Sequence, residues 1–144
     1  RDRLRSRGLG DVYKRQVKLP ESVVRIDDYA FYGSESIKNV TLPQTLTYIG
    51  KAAFEGTGIT KVVLPERLTD IAEKMFLECR KLESIYIPKA VQTIGKEAFK
   101  DCSLRDVYYG GNEEQRKQLV RDHEELNYIT PHYNSSALLA TLSL

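Results

Sequence analysis

Ile87-Pro88-Lys89-Ala90-Val91-Gln92-Thr93-Ile94-Gly95-Lys96-Glu97-Ala98-Phe99-Lys100-Asp101-Cys102 is one copy of a pattern that the chain repeats. Its opening marker recurs as Leu19-Pro20, Leu42-Pro43 and Leu64-Pro65, in steps of 23, 22 and 23 residues. Ile26, Ile49, Ile71 and Ile94 follow the same steps, and so do Ala30-Phe31, Ala53-Phe54, Met75-Phe76 and Ala98-Phe99. Three markers sharing one irregular spacing define a true period. A period of this length means a solenoid, in which each repeat buries its apolar face only against its neighbours.

Apolar positions alternate into each Pro: Val40 and Leu42, Val62 and Leu64, Ile85 and Ile87. Period two with β-branched residues predicts a short strand, and Pro, which cannot donate to a ladder, ends it. The next apolar residue (Val24, Leu46, Leu68, Val91) and the repeat Ile predict a second short extended piece on the opposite side. A single helical or 3-10 turn is expected around Ala-Phe. Phe31, Phe54, Phe76 and Phe99 should form one buried ladder. Gly50 and Gly95 follow the repeat Ile, where Ala72 also occurs, so the Gly is expected to serve space and not a special dihedral. The 22-residue step arises at Gly56-Thr57-Gly58-Ile59, one residue shorter than Leu77-Glu78-Cys79-Arg80-Lys81-Leu82. Cys102-Ser103-Leu104 is shortened in the same way.

The 144 residues amount to one domain. No window is apolar for long enough to span a membrane, and no secretory signal is visible. Ser6 to Gln16, eleven residues, resembles the in-frame translation of a transposase adapter used to build sequencing libraries. Residues 1–16 are therefore expected to be a non-native or disordered segment. Leu142-Ser143-Leu144 is compatible with the start of the opposite adapter. Val17-Lys18-Leu19-Pro20 begins in mid-repeat, so the chain is expected to be the C-terminal part of a longer protein. Residues 1–16 hold six of the 22 basic and two of the 20 acidic residues, a net of +4. The remaining 16 basic and 18 acidic residues give the repeat body a net of −2. A nucleic-acid binder needs a basic footprint, so that class is disfavoured.

After a fifth strand, Val107-Tyr108-Tyr109, the pattern stops at Gly110-Gly111. Asn112 reads as an N-cap, with Glu113 and Glu114 in the first turn of a helix reaching about Arg121. Leu119 and Val120 are its expected apolar contacts. Tyr128-Ile129-Thr130 and His132-Tyr133 read as a last extended piece. The solenoid thus spans residues 17–109, a C-terminal cap 110–134 and a tail 135–144.

The run Leu-Pro-x-x-(Val/Leu)-x-x-Ile-Gly-x-x-Ala-Phe-x-x-Cys-x-x-Leu-x-x-(Ile/Val) resembles the BspA-type leucine-rich repeat of bacterial surface proteins. Ile87 to Val107 follows it apart from the shortening before Leu104, and Ser34 or Thr57 replaces Cys in other copies. Tyr109 to Glu114 and His132-Tyr133-Asn134 look like the cap that ends such arrays, where a Trp usually stands at the position of Arg116. The resemblance implies an α/β leucine-rich-repeat solenoid with a C-terminal helical cap. It also implies a secreted or surface-anchored adhesion or binding protein without catalytic residues.

The outward face of the strand sheet is the candidate ligand surface: Asn39, Thr41, Lys61, Val63, Ser84, Tyr86, Asp106 and Tyr108. Their alternation with inward residues turns them away from the core, and solenoids bind through such stacked faces. Tyr86, Tyr108 and Val63 are expected to form an aromatic-apolar patch of the kind favoured at interface centres. The same residues are also simply good strand formers. The ligand would be a protein or a glycan; the competing role is a passive spacer presenting an upstream domain. Cys79 and Cys102 lie one repeat apart, within geometric reach of a disulfide. A ladder that also accepts Ser34 and Thr57 favours two buried thiols. His123 and His132 have no metal-ligand spacing and no nucleophile motif appears, so neither a cofactor nor an enzyme activity is expected.

Overall fold

The computed structural model describes residues 2–4 and 16–136. Six parallel strands form the main sheet: β2 (Gln16–Lys18), β4 (Asn39–Thr41), β6 (Lys61–Val63), β8 (Ser84–Ile87), β10 (Asp106–Tyr109) and β11 (Thr130–His132), in that spatial order. Consecutive strands of the sheet are linked by a whole coil of chain, so the polypeptide winds as a parallel β-solenoid. The opposite side carries β3 (Val23–Ile26), β5 (Tyr48–Ile49), β7 (Asp70–Ile71) and β9 (Thr93–Ile94), two to four residues each. These pair as β3-β5 and β7-β9. The ladder between β5 and β7 is interrupted where the 22-residue step falls.

Like positions stack. Val40, Val62, Ile85 and Val107 form one inward row, Leu42, Leu64, Ile87 and Tyr109 the next. Ile26, Ile49, Ile71 and Ile94 line the far side. The buried residue after each Pro is Val23, Leu46, Leu68 or Val91. Val24, expected in that row, is 38 % exposed; the inward slot lies three residues after the Pro in every coil, and Val23 occupies it. The four Phe rings stack nearly parallel, with centroids 5.3, 5.7 and 5.6 Å apart.

The segment around each Ala-Phe is neither α nor 3-10 helix. Tyr29, Ala52, Lys74 and Glu97, each preceding the pair, have φ between 54° and 61°. Gly33, Gly56, Glu78 and Asp101 take φ between 59° and 74° four residues later. Left-handed residues turn alternate amides outward along the solenoid axis. Tyr29, Phe31 and Gly33 donate to the carbonyls of Lys51, Ala53 and Glu55 in the next coil, at 2.8, 2.8 and 2.7 Å. The residues between them bond locally: Ala30 to Asp27, Tyr32 to Tyr29, Ser34 to Phe31. A non-Gly residue in this region costs about 1 kcal/mol, which three inter-coil bonds per turn offset. Ladder hydrogen bonds thus replace the expected helical turn. Gly50 and Gly95 lack this dihedral, and a Cβ there would stand 2.6 Å from the Asp28 amide nitrogen and 2.4 Å from that of Glu73. Close approach between coils explains both.

The C-terminal end is closed by α1 (Glu113–Leu119). Asn112 and Gln115 form a reciprocal capping box, with Gln115 N to Asn112 Oδ1 at 2.9 Å and Asn112 N to Gln115 Oε1 at 2.8 Å. Val120 and, from a one-turn 3-10 helix Glu124–Leu126, Leu126 cover the end of the core. Strand β11 then joins the sheet as its edge, with Pro131 beside Val107. A Pro there withholds a donor from any further strand, which blunts the edge.

At the other end, β1 (Asp2–Leu4) lies parallel to β3, and Gln16 pairs with Asn39. An open sheet edge templates pairing with whatever chain lies along it, so this backbone pairing does not bear on the origin of residues 1–16. Residues 6–15 of the adapter-like run, and the tail beyond Ser136 with Leu142–Leu144, lie outside the described residues.

Candidate functional site

The strand register arranges the outward side chains of the main sheet in two rows. Gln16, Asn39, Lys61, Ser84, Asp106 and Thr130 face one another across successive strands. Two residues further on, Val63, Tyr86, Tyr108 and His132 form the second row, and Thr41 lies beside Lys18 at its start. All eight residues expected to share this face do share it.

The face is not uniformly open. Thr41 is exposed, and Asn39, Lys61, Val63 and Asp106 are half-buried. Tyr86 is 2 % exposed, Tyr108 6 % and Ser84 8 %, so the expected open aromatic patch is corrected to a closed one. Tyr86 and Tyr108 pack together, with Val63 against them. Tyr86 also donates its hydroxyl to Glu66 Oε2 at 2.8 Å. Burial, then the Glu66 acceptor and its charge, push the Tyr86 phenol well above the ordinary tyrosine range. Tyr108 is stacked on the His132 imidazole, 4.3 Å between centroids and 14° from parallel. His132 Nε2 lies 3.0 Å from Asp106 Oδ1. Large rings stacked at strand spacing cover one another, which alternation of the sequence does not reveal. What remains accessible is a polar row carrying opposite charges, Lys61 and Asp106, beside a rigid aromatic floor.

Glu66 and His132 were missed by the sequence reading. His132 carried no periodic marker because the cap intervenes, yet it follows Tyr108 by 24 residues, close to the repeat length. That spacing was the available signal. Arg116, at the position expected of a Trp, lies beside Tyr109; among the described residues its Nε is buried without a hydrogen-bond partner. Burial pushes the Tyr109 phenol up to about 12, and the Arg116 guanidinium pulls the other way.

Cys79 and Cys102 are free. Cys79 donates to the Phe54 carbonyl at 2.9 Å and Cys102 to the Phe76 carbonyl at 3.1 Å. Thr57 Oγ1 stands 3.4 Å from Cys79 Sγ. Burial raises both thiols, in Cys102 helped by its neighbour Cys79, so they are poor nucleophiles. The ladder of Ser34, Thr57 and two thiols is structural. Among the described residues no cluster of His, Cys, Asp and Glu is suited to a metal ion, and no helix is long and apolar enough to cross a membrane.

Short parallel strands stacked around aliphatic and Phe ladders define a leucine-rich-repeat solenoid. The BspA-type leucine-rich repeat region matches residues 12–120, in six copies, and the chain belongs to that family. A leucine-rich repeat protein of Bacteroides ovatus is similar over 66 % of this chain and 25 % of its own, with 31 % identity and a TM-score of 0.60. The leucine-rich repeat protein of T. pallidum is similar over 88 % of this chain and 72 % of its own, at 24 % identity and a TM-score of 0.59. A leucine-rich cell surface protein of Faecalibacterium prausnitzii is similar over 84 % and 35 %, at 23 % identity and a TM-score of 0.53. The last two likenesses show the fold alone. This chain spans about a quarter of the length of the Bacteroides ovatus protein. Comparison with curated proteins gives no match. Family and neighbours suggest a protein-interaction or surface module of a typically non-catalytic kind.

Proposed function

We propose that this chain is a non-catalytic binding module of an extracellular bacterial surface protein, recognising a protein or a glycan through the outward face of its main sheet. The observation that supports this most is the pair of outward rows on the six-stranded parallel sheet, one running from Gln16 to Thr130 and the other from Val63 to His132. They present a surface held by the strand ladder, whose exposed side is polar and whose floor is aromatic. Such a surface loses little conformational entropy on binding. Asn39, Thr41, Lys61, Val63 and Asp106 would touch the ligand directly; Ser84, Tyr86 and Tyr108 would shape the floor. The body's slight negative charge makes nucleic acid an unsuitable partner, and the reading calls for no cofactor.

The experiment is binding of the immobilised chain to a glycan array and to a panel of purified extracellular proteins. Wild type is compared with Asn39→Arg, Thr41→Arg and Lys61→Glu, three variants on the face that lie outside the cluster of buried rings. Binding of at least one array member that each variant weakens about tenfold or more supports the reading. Unchanged binding in a folded triple variant refutes the face, and no binding by wild type favours a passive spacer presenting other domains.

A further inference from the structure

Coil length varies at one point of the repeat, between the Cys/Thr/Ser ladder and the next inward aliphatic residue. The first coil has Glu35 and Ser36 there and the third has Arg80 and Lys81, but the second has Gly58 alone. A notch of about 290 Å³ opens between the two longer coils. Gly56, Thr57 and Gly58 form its floor, Glu35 and Lys38 one wall, and Glu78, Arg80 and Lys81 the other. The fourth coil is equally short, yet Ser103 closes its gap by donating its hydroxyl to the Arg80 carbonyl at 2.7 Å and its amide to the Leu82 carbonyl at 3.2 Å. Gly58 has no such side chain and could carry none. A Cβ there would lie 2.4 Å from the Glu35 carbonyl oxygen and 3.1 Å from Lys38 Nζ.

The notch holds three cations and two carboxylates. Among the described residues Lys38 and Lys81 make no ion pair, and Lys38 Nζ reaches only the Glu35 carbonyl, at 3.4 Å. Arg80 meets Glu78 at 3.9 Å with both side chains at least half exposed, a contact of little strength. The buried Gly58 amide donates no hydrogen bond among the described residues. Among the described residues, two lysines without an ion pair, a weakly held Arg80 and an amide without an acceptor suit an anion. Glu35 and Glu78 at the rim repel a bare polyanion but accept from hydroxyl groups. We propose that this notch binds an acidic sugar. The sugar's carboxylate would lie among Lys38, Arg80 and Lys81, and its hydroxyls would donate to Glu35 and Glu78. The volume lies at the small end of ligand sites, enough for one pyranose ring. None of the residues lining the notch belongs to the two outward rows of the sheet, so the proposal does not depend on that face binding anything.

The test is a titration of the full chain with glucuronate, glucose and acetate at constant ionic strength, followed by ¹H–¹⁵N correlation spectra. Glucuronate should give saturable shifts at Gly56, Thr57 and Gly58 with a Kd of about 1 mM. Glucose and acetate should bind at least about tenfold more weakly. Lys38→Gln, and separately the double variant Arg80→Glu/Lys81→Glu, should abolish the shifts while the circular-dichroism melt is retained. No saturable response to glucuronate overturns the proposal. An equal response to acetate overturns the sugar assignment, and shifts that persist in both variants overturn the placement.

Discussion

Truncating one ring of the Phe ladder tests whether stability in this solenoid is carried between nearest neighbours. Phe76 is completely buried and stacks on both Phe54 and Phe99, at 5.7 and 5.6 Å. Phe76→Ala removes the ring's transfer free energy and leaves a cavity, together about 3 to 5 kcal/mol. Each lost stack accounts for about 0.5 to 1.5 kcal/mol of coupling beyond area. Phe99, at the end of the ladder, stacks on one ring only among the described residues, so Phe99→Ala should cost about 1 kcal/mol less. The coupling is isolated by a double-mutant cycle in urea unfolding at 25 °C, using Phe→Leu to keep every variant folded. Phe54/Phe76 should couple by about 0.5 to 1 kcal/mol, and Phe31/Phe99, separated by two coils, by less than about 0.3 kcal/mol. Equal coupling in the two pairs would refute nearest-neighbour stacking and point to one global core. A Phe76→Ala cost below about 1.5 kcal/mol would show that the site collapses around the missing ring.

Alkaline stability tests the buried phenols and thiols. The Tyr109 phenol is raised by burial, and the Cys79 and Cys102 thiols are raised too. A raised acid keeps its proton in the folded state, so its stabilisation is complete below the unfolded value and is lost as pH rises toward the folded one. Stability should therefore fall above about pH 9, and Tyr109→Phe should flatten the fall between about pH 10 and 12 by 2 to 3 kcal/mol at most. Urea midpoints at pH 8, 10 and 11.5 check this; identical slopes in variant and wild type would contradict it. Restoring a donor to the edge strand by Pro131→Val should promote edge-to-edge association through β11. Sedimentation velocity would then show concentration-dependent dimers in the variant and not in the parent, and a monomeric variant would mean that the cap, not the Pro, protects that edge.

The period, the inward ladders and the Asn112 cap were legible because a solenoid writes its packing into the chain every coil. Each of Leu42, Leu64 and Ile87 meets its own counterpart one repeat away, so spacing in sequence is spacing in space. The Cys ladder was readable for the same reason, since a position that accepts Ser34 and Thr57 must be a small buried slot. Tertiary structure alone decided what depended on contact across the register or on backbone dihedrals. Tyr86 and Tyr108 alternate outward as the pattern demands, but ring stacking on His132 and the bond to Glu66 bury them. The turn at each Ala-Phe pair has helix-compatible composition and is built instead from left-handed residues, because inter-coil hydrogen bonds outweigh local propensity. The missing residue before Ile59 was visible as a shortened step. Only the neighbouring coils, longer on either side and carrying lysines that make no ion pair among the described residues, turn that gap into a notch.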